Sequence, residues 1–238
     1  MTDLVLEGRV IAIAGAAGGL GPAVATRLAD SGAVLAATDV DQSRLDALAT
    51  DLALPEERWD GRTVDLLDPD AARAWADDLA ERFGAVDGLL HLVGGWRGGD
   101  PLPSAPLDDY AFLHDLLVRT VQHTTRAFHD HLAASDHGRF VLVSSSQAQD
   151  PDATNAAYAA TKAAAEAWTL ALADSFADTR ATANILVVNA ILTQQMREDD
   201  GDGAHPSFTP VEDIAEAIAF LCSDRAARMN GKRLPLYP

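Results

Sequence analysis

Short apolar runs alternate with longer amphipathic or alanine-rich stretches along this chain. The longer stretches repeat their apolar positions at helical spacing, and they predict helices. This alternation predicts right-handed βαβ units and an α/β fold with a doubly wound parallel sheet covered by helices on both faces. The predicted strands are Val10–Ala14, Ala33–Thr38, Arg62–Asp65, Val86–Val93, Phe140–Ser144 and Ile185–Val188. The predicted helices are Gly21–Asp30, Ser43–Leu54, Pro69–Phe83, Asp108–Ala134 and Asn155–Ala177.

No internal repeat, low-complexity tract or linker interrupts the alternation, which predicts a single domain over residues 1–238. The stretch Gly94–Pro106 is rich in glycine and proline, but it directly follows a predicted strand. Open α/β sheets bind their ligands at the carboxyl ends of the strands. We therefore expect Gly94–Pro106 to be an active-site loop rather than a linker.

The composition narrows the class of protein. Hydrophobic residues make up 48% and charged residues 23% of the chain, as in ordinary globular domains. The net charge of −18 disfavours binding to nucleic-acid phosphates or anionic lipids, so we expect no nucleic-acid partner and no membrane.

Cys222 is the only cysteine, which excludes an intramolecular disulfide and fits a reducing cytoplasm. The histidines lack metal-site spacing, and the N-terminus lacks the features of a signal peptide, so we expect no metal and a cytoplasmic protein.

A glycine-rich turn connects the first predicted strand to the first predicted helix. Its pattern is G-x-x-x-G-x-G, with Gly15, Gly19 and Gly21 at the glycine positions. Gly15 permits a tight turn, Gly19 lets the backbone approach a pyrophosphate, and Gly21 lets helix and strand pack closely. The amide groups at the start of the helix would favour the anion. The alternative is an ordinary strand-to-helix turn in a chain rich in alanine and glycine.

Asp39 follows the second predicted strand, 24 residues after Gly15. A carboxylate there can accept hydrogen bonds from the ribose hydroxyls of a dinucleotide, and it would repel a 2′-phosphate. No arginine or lysine lies within the turn, and Arg44 is already inside the next predicted helix. These residues predict NAD(H) in preference to NADP(H). We interpret Asp41, the competing carboxylate, as the cap of the following helix.

Tyr158 and Lys162 are four residues apart in a predicted helix, so their side chains share one face. An ammonium beside a phenol stabilises the phenolate, which makes tyrosine a usable acid or base near neutral pH. Ser145 lies just past a predicted strand, where its hydroxyl can hold a substrate carbonyl oxygen beside the phenol. The alternative for Tyr158 and Lys162 is a surface helix pair. We interpret His91 as a core imidazole rather than a catalytic group.

Together these motifs resemble the short-chain dehydrogenase/reductase family over essentially the whole chain. The resemblance implies a Rossmann-like fold, a small-molecule substrate, a homo-oligomer (tetramer or dimer) and a substrate loop at about 193–209. It implies that Ser145, Tyr158 and Lys162 are catalytic, that Asp65 contacts adenine and that Thr193 binds the nicotinamide carboxamide. The expected cofactor-binding residues are Gly15, Gly19, Leu20, Gly21, Asp39, Asp65, Leu66, Val93, Gly94, Tyr158, Lys162 and Thr193.

The chain departs from the family pattern at several positions. His91-Leu92-Val93-Gly94 stands in place of Asn-Asn-Ala-Gly, Leu117 in place of a helix asparagine of the proton relay, and Val188-Asn189 in place of Pro-Gly. The stretch Val93–Gly99 weakly resembles the dihydropteridine reductase branch, although that branch is not known for the serine present here as Ser145. Leu117 and the lost Pro-Gly motivate one alternative, a dinucleotide-binding regulatory or scaffold protein without turnover. A second alternative is a modifying component of a larger biosynthetic complex, in which the partner supplies specificity.

Overall fold

The computed structural model describes residues 5–201 and 203–237. The ends of the predicted domain and Asp202 of the predicted substrate loop lie outside the described residues. The strands are β1 (Val10–Ala14), β2 (Val34–Asp39), β3 (Trp59–Thr63), β4 (Gly88–His91), β5 (Arg139–Ser145), β6 (Thr182–Val188), β7 (Ile191–Leu192), β8 (Thr209–Pro210) and β9 (Arg233–Pro235). The helices are α1 (Gly21–Asp30), α2 (Gln42–Leu52), α3 (Pro69–Phe83), α4 (Leu107–His114), α5 (Thr120–Ala134), α6 (Ala156–Ser175), α7 (Gln194–Asp200) and α8 (Val211–Cys222).

Seven of these strands form one parallel sheet in the order β3-β2-β1-β4-β5-β6-β9. The chain builds outward from β1 to β3, then returns to the other side of β1 and continues through β4 to β9. The order therefore reverses between β1 and β4, which is where open sheets of this kind leave a crevice for a ligand. The predicted doubly wound Rossmann-like sheet is confirmed.

Both faces of the sheet are covered, and β1 shows why its sequence is apolar throughout. Ile11 and Ile13 pack in a core cluster with buried residues of α1, α2 and α8. Ala12 and Ala14 point the other way, into a cluster with buried residues of α3, α5 and α6. A central strand flanked by helices on both sides must be apolar at every position rather than at every second one.

Three element predictions are wrong in detail. The fourth strand, predicted as Val86–Val93, spans only Gly88–His91. The third strand is Trp59–Thr63, not Arg62–Asp65, and Val64 and Asp65 follow its carboxyl end. Asp60 is buried in this strand and is neutralised by Arg62 and Arg82 at 2.5 and 2.8 Å. A polar edge strand held by ion pairs carries little of the apolar pattern that identifies a strand in a sequence.

The predicted helix Asp108–Ala134 is not continuous. A single π-helical turn, Asp115–Arg119, separates α4 from α5 and contains Leu117. The Thr120 hydroxyl donates to the Leu116 carbonyl at 2.6 Å, which gives a backbone group within the irregular turn a hydrogen-bond partner. The turn changes the direction of the side chains on this segment, so Asp115, Leu116 and Thr120 face the ligand crevice.

Candidate active site

A cavity of about 1100 Å³ opens at the carboxyl ends of the central strands. All but one of the expected site residues line it, although they come from distant parts of the chain. Gly21 is the exception. The expected residues on its wall are Gly15, Gly19, Leu20, Asp39, Asp65, Leu66, Val93, Gly94, Ser145, Tyr158, Lys162 and Thr193.

The glycine turn forms one end of this cavity. A Cβ at any of its three glycine positions, Gly15, Gly19 and Gly21, would come within 3.1 Å of a neighbouring atom. Gly15 has φ +83°, and a Cβ there would lie 2.8 Å from the Val93 amide nitrogen. A Cβ on Gly21 would overlap the Ala16 carbonyl, so Gly21 serves helix packing and does not reach the cavity. A Cβ on Gly19 would lie 3.1 Å from the Thr193 side chain, so turn and loop lie close together across the opening.

The carboxylate of Asp39 is fixed at the same end of the cavity. It accepts hydrogen bonds from the amides of Ala17 at 2.9 Å and Val40 at 2.8 Å. Asp41 caps α2, as predicted, by accepting from the Ser43 amide at 2.9 Å, and hydrogen bonds, chiefly from the Ser43 hydroxyl, lower its pKa. Arg44 lies in α2, but its guanidinium reaches back to the Ala17 carbonyl and lines the cavity beside Asp39. The place of Arg44 within a helix predicts that it stays away from the site, but its positive charge reaches the cavity.

At the other end, β5 and α6 bring Ser145, Tyr158 and Lys162 to one wall. Lys162 is only 6% exposed, and its Nζ donates to the Val143 carbonyl at 3.0 Å and lies 5.8 Å from the centre of the Tyr158 ring. Burial lowers the pKa of Lys162 to about 8, and the charge of Glu166 opposes that change. Burial raises the pKa of Tyr158, and a hydrogen bond from Ser145 opposes it. The expected lowering of the phenol pKa by the lysine is therefore not seen: burial raises the pKa of Tyr158, and the group that opposes this change is Ser145.

His91 lies in the protein interior beneath this wall. Thr120 Oγ1 donates to the Leu116 carbonyl, so it accepts from His91 Nε2 at 3.1 Å, while Thr124 Oγ1 lies 3.3 Å from Nδ1. Burial, assisted by the charge of Lys162, lowers the pKa of His91 to about 3, which keeps the imidazole neutral. The interpretation of His91 as a core imidazole is confirmed. Leu117 is also buried, within the π turn.

The loop Gly94–Pro106 borders the cavity and is tied to the start of α6. Trp96 Nε1 donates to Asn155 Oδ1 at 2.9 Å, and the Gly99 amide donates to the Thr154 carbonyl at 2.8 Å. The Trp96 side chain lines the cavity although the residue is 60% exposed. Asn155 immediately precedes the helix that carries Tyr158, so this loop and the Tyr158 helix are held together.

The predicted substrate loop, about 193–209, contains the helix α7, and the short β7–β8 pair joins its two ends. Thr193 begins α7 by accepting from the Met196 amide at 3.2 Å, and Arg197 forms an ion pair with Glu212 of α8. Phe208 from this segment lines the cavity, as does Phe112 from α4. Neither aromatic residue lies in a recognisable motif, so nothing in the sequence identified them.

Nowhere in the described part of the chain do three histidine, cysteine, aspartate or glutamate side chains gather closely enough to hold a metal ion. Within residues 5–201 and 203–237, no helix combines the length and the apolar character needed to cross a bilayer.

The fold and the cavity define a doubly wound α/β protein with a ligand site where the strand order reverses. A family model described as enoyl-(acyl carrier protein) reductase matches residues 15–236. The chain is 27% identical to D-threitol dehydrogenase of Mycolicibacterium smegmatis over 98% of this chain and 92% of that protein. It belongs to the short-chain dehydrogenase/reductase family and is an oxidoreductase.

Solved structures of the same fold include complexes with both nicotinamide cofactors. A blue fluorescent protein from a metagenomic library, in complex with NADPH, is 30% identical with a TM-score of 0.84, covering 97% of each chain. NAD⁺-bound xylitol dehydrogenase is 23% identical with a TM-score of 0.82, covering 97% of this chain and 98% of that one.

Proposed function

We propose that this protein is an NAD(H)-dependent oxidoreductase that interconverts a carbonyl and a secondary alcohol. One observation carries the proposal: Ser145, Tyr158 and Lys162 lie on the wall of the same cavity as the glycine turn and Asp39. When bound, the dinucleotide would supply or accept a hydride at its nicotinamide ring. We further propose that residues 1–238 act as one cofactor-binding domain and assemble as a homo-oligomer.

The glycine turn and the walls of the cavity fit a dinucleotide. The start of α1 has no side-chain cap, so its amides remain available to a pyrophosphate. Asp65 and Leu66 would border the adenine, and Thr193 and Val93 the nicotinamide. Lys162 would hold the adjoining ribose through hydrogen bonds from its ammonium. The absence of a side chain at Gly19 leaves its backbone open to a pyrophosphate, whereas Gly15 is required by its close approach to the Val93 backbone.

Asp39 is the residue that supports a preference for NAD(H) over NADP(H). Its carboxylate is held by two backbone amides at the cavity wall, where it would accept from ribose hydroxyls and repel a 2′-phosphate. Arg44 beside it favours NADP(H) instead, because a guanidinium attracts a phosphate. We give Asp39 more weight because Arg44 already donates to the Ala17 carbonyl.

The chemistry of the reacting oxygen falls to Tyr158 and Ser145. Because burial raises the pKa of Tyr158, the phenol carries its proton at neutral pH and can donate it to the oxygen of a carbonyl substrate. The Ser145 hydroxyl would hold the same oxygen. Lys162 would keep a positive charge next to the phenol, which stabilises the phenolate left after proton transfer.

The substrate end of the cavity favours an uncharged substrate. Trp96, Phe112, Leu116 and Phe208 supply apolar walls. The charged side chains beside them are of opposite sign: Asp115 lines the cavity, and the Arg97 guanidinium lies 3.6 Å from the centre of the Phe112 ring. An apolar wall with few charges suits a neutral ring or chain that carries one carbonyl group.

Cofactor binding is the first test, since it needs no known substrate. Titration with NADH and, separately, with NADPH, followed by energy transfer from tryptophan to nicotinamide, is expected to give tighter NADH binding. Tighter NADPH binding would overturn the argument from Asp39. Binding of neither would contradict the proposed function and favour a regulatory or scaffold role.

Turnover is the second test, on a panel of neutral ketones. The variant Tyr158→Phe keeps the ring and loses the proton, so we expect turnover to fall by about 100-fold or more. The control is Tyr110→Phe, which removes a hydroxyl from a partly exposed residue of α4. Near-normal turnover in Tyr158→Phe would exclude Tyr158 as the general acid or base.

A further inference from the structure

Glu166 is a buried carboxylate one helical turn beyond Lys162 on α6, and it is only 1% exposed. Tyr158, Lys162 and Glu166 follow one another at intervals of four residues, so they form one stripe along the helix. Tyr158 and Lys162 line the cavity, whereas Glu166 lies behind them in the interior. The chain thus places an acid next to the lysine, on the side away from the substrate.

Three contacts occupy both oxygens of Glu166. Oε1 accepts from the Ser144 hydroxyl at 2.7 Å, and Oε2 accepts from Gln149 Nε2 at 3.2 Å and from Arg233 Nε at 2.6 Å. The guanidinium and two further donors suit an ionised carboxylate, which only accepts hydrogen bonds. These partners come from β5, the turn after it and β9, so Glu166 connects three segments to the helix that carries Lys162.

Among the residues that the structure describes, the other groups around Lys162 supply no second negative charge. From β4 it faces the neutral imidazole of His91, and from α6 it faces the phenol of Tyr158. From β5 its Nζ contacts the Val143 carbonyl. Arg233 lies behind Glu166 and is partly exposed. Burial lowers the pKa of Lys162 to about 8, and Glu166 is the charged group that raises it.

We propose that Glu166 is a positioning residue that acts through Lys162: its negative charge keeps the buried ammonium protonated next to Tyr158. Its hydrogen bond to Ser144 also fixes the end of β5, where Ser145 follows. The catalytic meaning of this role rests on the proposed function, whereas the electrostatic effect on Lys162 does not. A purely structural role would be to tie β9 to α6, and that role needs no effect on the lysine.

The lysine can be observed directly, because the chain contains only Lys162 and Lys232. Protein labelled with ¹³C at lysine Cε gives one NMR signal for each, and Lys232→Arg assigns them. We expect Glu166→Gln to lower the pKa of Lys162 by about one pH unit, since it removes one charge at a helical neighbour. Glu166→Asp retains the charge, and we expect a pKa close to that of the wild type.

Two controls separate charge from the other effects of substitution. Asp174→Asn removes the same charge from an exposed site on the same helix, and Gln149→Ala removes one hydrogen bond of Glu166 but leaves its charge. Neither is expected to move the pKa of Lys162. If Glu166→Gln does not fold by near-ultraviolet circular dichroism, Glu166→Met removes the charge without placing an amide against Arg233. An unchanged Lys162 pKa in a folded, charge-removed variant would overturn the proposal.

Measurements of turnover distinguish a failure of the role proposed for Glu166 from a failure of the proposed oxidoreductase function. If both hold, the loss of ketone reduction at alkaline pH moves to lower pH in Glu166→Gln, because Lys162 loses its proton earlier. If Glu166→Gln lowers the Lys162 pKa but the wild-type protein reduces no carbonyl, the electrostatic role is upheld and the proposed function is contradicted. If Glu166→Gln leaves the Lys162 pKa unchanged while the wild-type enzyme is active and needs Tyr158, the proposed function is upheld and the role of Glu166 is contradicted.

Discussion

Asp39 and Arg44 contact the same residue of the glycine turn with opposite charges. Asp39 accepts from the Ala17 amide at 2.9 Å, and the guanidinium of Arg44 donates to the Ala17 carbonyl. Both side chains line the end of the cavity where the adenosine ribose would lie. The balance between them would decide whether a 2′-phosphate is tolerated.

Removal of the Asp39 charge should therefore change the cofactor preference. In Asp39→Ser we expect NADPH affinity to rise and NADH affinity to fall by about 10-fold each, because Arg44 then faces the phosphate without an opposing carboxylate. Dissociation constants for both cofactors provide the measurement. Asp41→Asn removes a nearby acid that caps α2, and it should leave the ratio unchanged. A constant ratio in Asp39→Ser would refute the role given to Asp39.

The hydrogen bond between Trp96 and Asn155 should matter to substrate binding rather than to cofactor binding. In Asn155→Ala the indole loses its hydrogen-bond partner, and the loop keeps only the Gly99–Thr154 hydrogen bond at the start of α6. We expect the KM for a bulky ketone to rise by about 10-fold, which corresponds to the loss of one hydrogen bond to an ordered group. Cofactor affinity should remain within about twofold.

The control for that experiment is Leu102→Ala, an exposed residue of the same loop. Trp96→Phe keeps an aromatic wall without the N–H and should resemble Asn155→Ala. If both variants retain the wild-type KM, the indole is not a wall of the substrate site.

The buried ammonium of Lys162 should lower the stability of the folded protein. Its pKa is lowered from its usual 10.5 to about 8, so between these values the unfolded chain binds more protons and the free energy of unfolding rises with pH. At pH 7 we expect Lys162→Met to raise the free energy of unfolding by about 1–3 kcal/mol. Chemical denaturation provides the measurement.

The pH dependence of stability is the control for the Lys162→Met prediction. The advantage of Lys162→Met over the wild type should shrink as the pH rises from 8 to 10.5, because the wild type no longer buries a charge. An advantage that stays constant over this interval would point to packing instead. A variant less stable than the wild type at pH 7 would show that the Glu166 partnership outweighs burial.

Two glycines of the same turn should respond differently to alanine. Gly15→Ala combines φ +83° with a Cβ only 2.8 Å from the Val93 amide, so we expect a loss of about 2 kcal/mol or more in the free energy of unfolding. Gly18→Ala meets only the Gly15 carbonyl at 3.4 Å, an ordinary contact, and should cost less than about 1 kcal/mol. Thermal denaturation of the two variants compares them directly, and equal losses would contradict the steric argument.

Local sequence patterns predicted the features that depend on neighbouring residues. The apolar run of β1, the glycine turn after it and the spacing of Tyr158 and Lys162 each lie within a few residues, so they predicted the central sheet and one wall of the site. The cap formed by Asp41 was predictable for the same reason. Asp39 and Ser145 followed from their places at the ends of strands, because parallel strands end at one edge of the sheet.

Only the tertiary structure decided which long side chains meet. Arg44 contacts Ala17 across 27 residues of sequence, and Glu166 contacts Arg233 across 67. The strand Trp59–Thr63 is stabilised by Arg82 of α3, which lies outside the strand. Hydrophobic periodicity reports whether a position is buried, but not which charged group from another element will neutralise it. The partners of buried charges therefore became visible only when the elements were packed together.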